Sequence, residues 1–316
     1  MWISTVLLFC AQHGRWFLVI GIVAGVLLPQ GAQAMRPWLP GMVACLLSLS
    51  AMRVGYQAAV GGPTSWVQPL VEVGALQFGL PALVCIALLL LDVGSTTVVL
   101  AVALMLAAPS VTGGPSFLAI MGRDPAPAMQ LLVVGTALFP LSALLVLTLL
   151  LEHTVIPDFS VMDAAKMAIL LFVLLFALVA AGFFARVLLL PNPRQDQLQQ
   201  LDGLNVLALA IIVVGLMAGL EALIRSDQLE LLGWLGLVCA LNFGLQLVTF
   251  HAVRPILRPD RRAAVSVVAG NRNVALFLLL LPAETVDLLL PFLACYQIPM
   301  YLTPVVMARL YKEPDP

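Results

Sequence analysis

The sequence predicts an all-α polytopic membrane protein: ten transmembrane helices arranged as a five-plus-five inverted repeat, with the fourth and ninth helices discontinuous. Three observations predict it. The composition is one that no water-soluble fold of this length can bury. Ten apolar runs are flanked by basic residues that segregate to one side. Two polar interruptions fall at matching places in the two halves.

Of the 316 residues, 62% are hydrophobic and 10% are charged, and the mean hydropathy is +1.08. A soluble domain carries about 25% charged residues. A bilayer solvates Leu, Val and Ile directly, so the excess apolar surface needs no core to hide in. The net charge of −1, with no basic stripe interleaved with aromatics, argues against a nucleic-acid partner. The five cysteines, Cys10, Cys45, Cys85, Cys239 and Cys295, share no short spacing and lie in apolar runs. They read as buried small hydrophobes rather than as a metal site or a disulfide framework. The first ten residues lack a basic stretch and a small-residue cleavage site, so they read as an interfacial lead-in helix or an early extension of the first span rather than a signal peptide.

A helix needs about 20 residues to cross the hydrocarbon core. Apolar runs bounded by charge, Pro and Gly place spans at 16–30, 41–58, 67–91, 95–122, 127–151, 164–190, 202–224, 229–252, 263–281 and 286–310. With ten spans both termini share a side. That side carries eleven Lys and Arg residues, from Arg15 and Arg53 through Arg123 and Arg186 to Lys312; the other has Arg36, Lys166 and Arg225. The bias places both termini in the cytoplasm and the chain in the cytoplasmic (inner) membrane.

Residues 1–151 form the first half of the repeat and 152–316 the second, divided by the polar stretch 152–163. Five spans per half force the halves to insert with opposite orientation. The fourth span of the first half contains Pro109, Ser110, Thr112, Gly113, Gly114, Pro115 and Ser116; the fourth of the second half contains Gly270, Asn271, Arg272 and Asn273. Pro109 and Pro115 supply no N–H, and Gly113 and Gly114 accept unusual φ, so helical bonding should fail there. In hydrocarbon the freed backbone groups must be buried or face a wet cavity, which makes matched breaks a pointer to a binding site. Arg272 is the most telling residue, because a guanidinium at membrane depth is costly and offers five donors. Two roles are open for it: a clamp facing an anion, or a prop donating to carbonyls released by the Pro109–Pro115 break. Gln77, Thr136, Asn242, Gln246 and Gln297 also lie mid-span, where helix–helix hydrogen bonds are the usual role. Glu221 and His251 are expected at the membrane interfaces, and Asp92 and Asp124 at opposite faces.

The order of these motifs resembles the bile acid:sodium symporter family over nearly the whole chain. The resemblance rests on Leu39-Pro40-Gly41, Gln77-Phe78 before Pro81, the break of the fourth span, Pro140, Leu241-Asn242-Phe243-Gly244 and Gly270-Asn271-Arg272-Asn273. It implies a core of residues 67–151 plus 229–310, a panel of 16–58 plus 164–224, and secondary transport of an organic anion by alternating access. Auxin-efflux-type carriers are similar in architecture. The chain also departs from the pattern. Val268 stands where sodium-coupled members have Glu, Arg272 where they have Gln, and Pro115-Ser116 where they have a Ser-Asn pair. Leu138 and Phe139 replace hydroxyls, with Thr136 nearby, while Gln77 matches a sodium-site position. Most of the oxygen ligands of a hard cation are therefore missing, and Arg272 is expected to supply permanently the charge that sodium supplies elsewhere.

The candidate binding residues are thus Gln77, Ser110, Thr112, Gly113, Gly114, Ser116, Thr136, Asn242, Asn271, Arg272 and Asn273, with no cofactor. A non-transporting receptor or assembly subunit on the same fold is the competing expectation. No HExxH, GxSxG or GxxxxGK[ST] pattern points to a membrane enzyme or to ATP coupling.

Overall fold

The computed structural model describes residues 2–56, 66–90, 96–150, 160–220, 224 and 227–311. These are almost wholly helical, with no strand among them beyond one isolated bridge. The expectations for Asp92, Glu221 and Arg225 fall outside the described residues. Among the described residues seven helices are long and apolar enough to cross a membrane, the make-up of a multi-pass membrane protein. Burial does not follow hydropathy as it does in a soluble bundle. Val161–Leu189, the most apolar of the seven, has only 22% of its 18-residue apolar stretch buried, whereas Ala283–Val306, among the least apolar, has 72% of its stretch buried. Ile169, Leu170, Val173, Phe176 and Phe184 all face outward. Such a surface is tolerable only when lipid covers it.

The chain opens with α1 (Trp2–Gln12) and α2 (Gly14–Leu27), which meet at 89°. The first residues therefore form a helix of their own, bent sharply from α2. Leu28 leaves the helical region (φ −117°, ψ 61°) because Pro29 comes next. The chain restarts as α3 (Pro29–Met35) and continues into α4 (Leu39–Val54). α4 is shorter than its predicted 41–58 because Gly55 adopts φ +77° and closes it, donating to Ala51 O at 2.9 Å. Arg186 then donates to the last carbonyls of α4, those of Met52 and Arg53, at 2.7 and 3.0 Å.

α5 (Val67–Val73) passes through a π-helical segment, Gly74–Gly79, into α6 (Leu80–Leu90). Next come α7 (Thr96–Ala107), α8 (Gly114–Ile120) and α9 (Ala126–Leu149). The second half contains α10 (Val161–Leu189), α11 (Gln195–Leu216), α12 (Gln228–Ala252) and α13 (Pro259–Gly270). A 3-10 segment, Val274–Leu279, leads to α14 (Ala283–Val306) and the short α15 (Ala308–Tyr311). α10 starts on a capping box, with Ser160 and Asp163 satisfying each other's backbone N–H.

The helices pack as two groups that meet where α9 lies along α10 and α4 along the Val274–Leu279 segment. α10 lies along α4, and α11 lies against α1, α2 and α4. Close approach here depends on missing side chains: a Cβ at Gly182 would collide with Ser48 O on α4, and one at Gly203 with Leu7 O on α1. The other group joins α12 with α13 and α14, and α9 with α5, α8 and α13. Its ends are tied by charge. Arg261 holds Glu72 through two bonds of 2.7 Å and reaches Gln130 at 3.0 Å, while Arg36, just before α4, pairs with Asp287 on α14 and ties the two groups to each other. Cys10, Cys85 and Cys295 are buried as expected, but Cys45 is exposed, since a thiol on a lipid-facing helix face needs no core.

Candidate functional site: crossed helix breaks beside a cavity

Both predicted interruptions are present. α7 ends at Ala107 and α8 begins at Gly114; α13 ends at Gly270 and the chain runs extended through Asn271 (φ −113°, ψ 94°). Each break satisfies the other. Val111 N donates to Asn271 O at 3.0 Å, and Asn273 N donates to Pro109 O at 2.8 Å. Ser110 and Arg272 thereby form an antiparallel bridge. Backbone groups that prolines and extended φ/ψ release find partners across the crossing, as burial demands. Gly113 and Gly114 do not supply unusual φ: among the described residues only Gly55 and Gly122 have φ > 0. The missing proline donors break the helix. The glycines instead leave room, since a Cβ at Gly114 would meet Ser110 Oγ at 3.1 Å and one at Gly113 the Phe117 ring at 3.4 Å.

Arg272 is 1% exposed and spends its guanidinium on three carbonyls from three segments. Nε donates to Ala269 O at 3.1 Å, Nη1 to Ala108 O at 3.2 Å and Nη2 to Leu76 O at 3.0 Å. The Leu76 carbonyl lies in the π-helical segment, where wider winding loosens the usual pairing of the ladder. Of the two roles open from sequence, the contacts are those of the prop. The guanidinium faces carbonyls and is not part of the wall of the large cavity beside the first break.

A closed polar network surrounds it. Tyr296 OH accepts from Arg272 N at 2.9 Å and donates to Gly270 O at 2.5 Å. Asn242 Nδ2 donates to Gly270 O at 2.6 Å and to Asn271 Oδ1 at 3.2 Å. Gln246 donates to Asn242 Oδ1 at 2.7 Å, Thr303 to Asn271 Oδ1 at 3.1 Å, and Tyr311 OH to Gln246 Oε1 at 3.0 Å. On the other flank, Gln77 Nε2 donates to Gly135 O at 3.0 Å and Ser142 Oγ at 2.9 Å, and Ser142 donates to Ala107 O at 2.8 Å. Gln77, Ser110, Asn242, Asn271 and Arg272 thus belong to the crossing itself, all buried. Asn273 joins it through its backbone, and Thr136 is half-buried on α9, one turn before Pro140. Gln297 bonds to Leu293 O in its own helix, at 3.0 Å, and His251 is exposed at the end of α12 beside Phe250.

Thr112, Gly113 and Ser116 have a different setting. They line a cavity of about 840 Å³ between the first break and the helices α1, α2, α4 and α11. Across it, Arg53 grips Asp202 through two bonds of 2.7 and 3.1 Å, and Ser50 Oγ donates to Asn205 Oδ1 at 3.0 Å. Sequence reasoning missed these four wall residues, having treated Arg53 only as a flanking charge. A signal existed: Ser50 and Arg53, like Asp202 and Asn205, are three apart, so each pair shares one helix face and the two faces match in polarity. No group of three or more His, Cys, Asp or Glu capable of holding a metal ion occurs among the described residues. The chain matches no family model and no curated protein.

Proposed function

We propose that the chain is a secondary carrier that moves an organic solute by alternating access, without sodium. The observation that carries the reading is the crossing of two interrupted helices beside a polar-walled cavity. Discontinuous helices at mid-membrane are where carriers place their sites, with the moving parts on either side. The closed hydrogen-bond network favours a crossing that travels as one rigid piece, and the cavity lies between it and the helices α1, α2, α4 and α11. Counting α2 and the two interrupted helices with the seven continuous spans brings the membrane crossings to ten, in keeping with an inverted repeat of five and five. The distribution of Arg and Lys then opens the cavity toward the cytoplasm.

Sodium independence rests on the occupancy of the crossing. Unwound carbonyls in carriers coordinate sodium; here Leu76, Ala108 and Ala269 carbonyls are already taken by a guanidinium whose charge is permanent. The expectation of an organic anion drew on the resemblance and on Arg272; with that charge spent on carbonyls, the cavity wall is the guide to the solute's charge class.

Two measurements test the reading. Proteoliposomes offered a panel of anionic, cationic and zwitterionic aryl-alkyl solutes should take one class up equally in sodium chloride and in choline chloride. Solute binding without uptake would favour a receptor. The melting temperature of the purified protein should be the same in the two salts, whereas a sodium site at a hundredfold excess over its Kd would add about 2.7 kcal/mol of stability. A saturable, sodium-specific rise overturns the sodium-independent mechanism.

A further inference from the structure

Among the described residues the cavity wall carries two charged side chains, Arg53 and Asp202, and they neutralise each other. Their side chains are 33% and 36% exposed, so the pair is reachable yet partly desolvated. One turn away, the Ser50–Asn205 pair adds neutral donors and acceptors. Leu46, Leu209 and Phe117 make part of the wall apolar. Tyr301, from α14, also lines the cavity. It is 6% exposed, and its hydroxyl has no hydrogen-bond partner among the described residues. A buried hydroxyl without a protein partner is uncommon, and beside a cavity it is free to bond a water or a bound molecule.

The balance of charge selects the ligand. An anion that engaged Arg53 would pull it from Asp202 and leave a carboxylate unpaired in a wall otherwise neutral. A cation would strand Arg53 in the same way. Stranding one member of a partly desolvated pair is the costly outcome. A molecule with both charges can pair with each residue and leave neither alone. A volume of about 840 Å³ is in the range that accepts drug-sized molecules, so an apolar body fits behind the charged head.

We infer that the cavity binds a zwitterionic amphipath, an amino-acid-like or betaine-like head on an apolar body, with Arg53 meeting its anionic group, Asp202 its cationic group and Tyr301 offering a further hydrogen bond. This deepens the carrier reading and rests on it only for the movement of the bound molecule across the membrane.

The test is calorimetric titration of the purified full chain with three compounds of one scaffold: homophenylalanine, phenylbutyrate, which lacks its amine, and phenylpropylamine, which lacks its carboxylate. Homophenylalanine should bind at least about tenfold more tightly than either. Arg53→Gln should erase its advantage over phenylpropylamine, and Asp202→Asn its advantage over phenylbutyrate. A purely structural tie between α4 and α11 would produce neither selective loss. Tyr301→Phe should weaken homophenylalanine binding several-fold without lowering the melting temperature of the unliganded protein. Should a charge variant fail to fold, the three-compound comparison on the unaltered protein still decides. Phenylbutyrate binding as tightly as homophenylalanine, or no binding by any of the three at millimolar concentration, overturns the inference. Counterflow in proteoliposomes separates it from the carrier reading: homophenylalanine bound but not exchanged sinks the carrier and leaves the ligand class, whereas phenylbutyrate exchanged in its place does the reverse.

Discussion

Replacing Arg272 with Met should destabilise the protein by about 5 kcal/mol, since three hydrogen bonds from a charged donor each contribute about 1.5–3 kcal/mol net. Methionine fills much of the same volume but donates nothing, so the Leu76, Ala108 and Ala269 carbonyls would be left buried and unpaired. An opposing term exists, because removing a buried charge relieves its desolvation. The bonds should win, because two of the three acceptors, Ala108 and Ala269, flank the helix breaks and the third lies in the π-helical segment, all distant from water. Arg272→Lys should fall between, its ammonium bearing three donors but no planar fork to span three separated carbonyls. Thermal and denaturant unfolding in detergent read both. A neutral or stabilising Met variant would mean that the charge is kept at a cost in stability for a functional reason, and that Arg272 is no brace.

Gly270→Ala should be nearly as damaging. The added Cβ would strike the Asn242 carbonyl on the neighbouring α12 and lie 2.7 Å from Gln246 Cγ. Overfilling a packed site costs about 1–3 kcal/mol and sometimes more. The upper end is expected, because one obstacle is helix backbone, which cannot rotate aside. The displacement would also lengthen the Asn242–Gly270 bond of 2.6 Å and loosen the network around Asn271. Gly244, in the same α12, is the control: a Cβ there meets nothing within 4 Å. Gly244→Ala should be neutral or stabilising by up to about 1 kcal/mol, through helix propensity alone. Equal effects at the two positions would contradict the packing argument.

The parts legible in sequence were those where a residue contradicts its surroundings. Prolines and an arginine inside apolar runs carry a physical cost visible one residue at a time, so both breaks, and the arginine at one of them, could be read directly. Asn242 announced itself in the same way. What the guanidinium touches could not be read, because its acceptors lie on three segments far apart in the chain and one of them owes its availability to a π-helical turn that no residue pattern marks. The cavity was less legible still. Its wall is assembled from helices of both halves, and Arg53 and Asp202 fall at span ends, where charge is ordinary; only their pairing makes them distinctive. Span lengths failed where local backbone intervened, at Leu28 before Pro29 and at Gly55, since hydropathy alone does not register φ.

The measurement that bears most directly on the central claim is the accessibility of Ser116, which is exposed on the cavity wall beside the first break. In a Ser116→Cys protein lacking the five native cysteines, reconstituted in one orientation, a membrane-impermeant maleimide should label the residue from either face, because the crossing presents it to each side in turn. Labelling confined to one face, however long the exposure, would contradict alternating access.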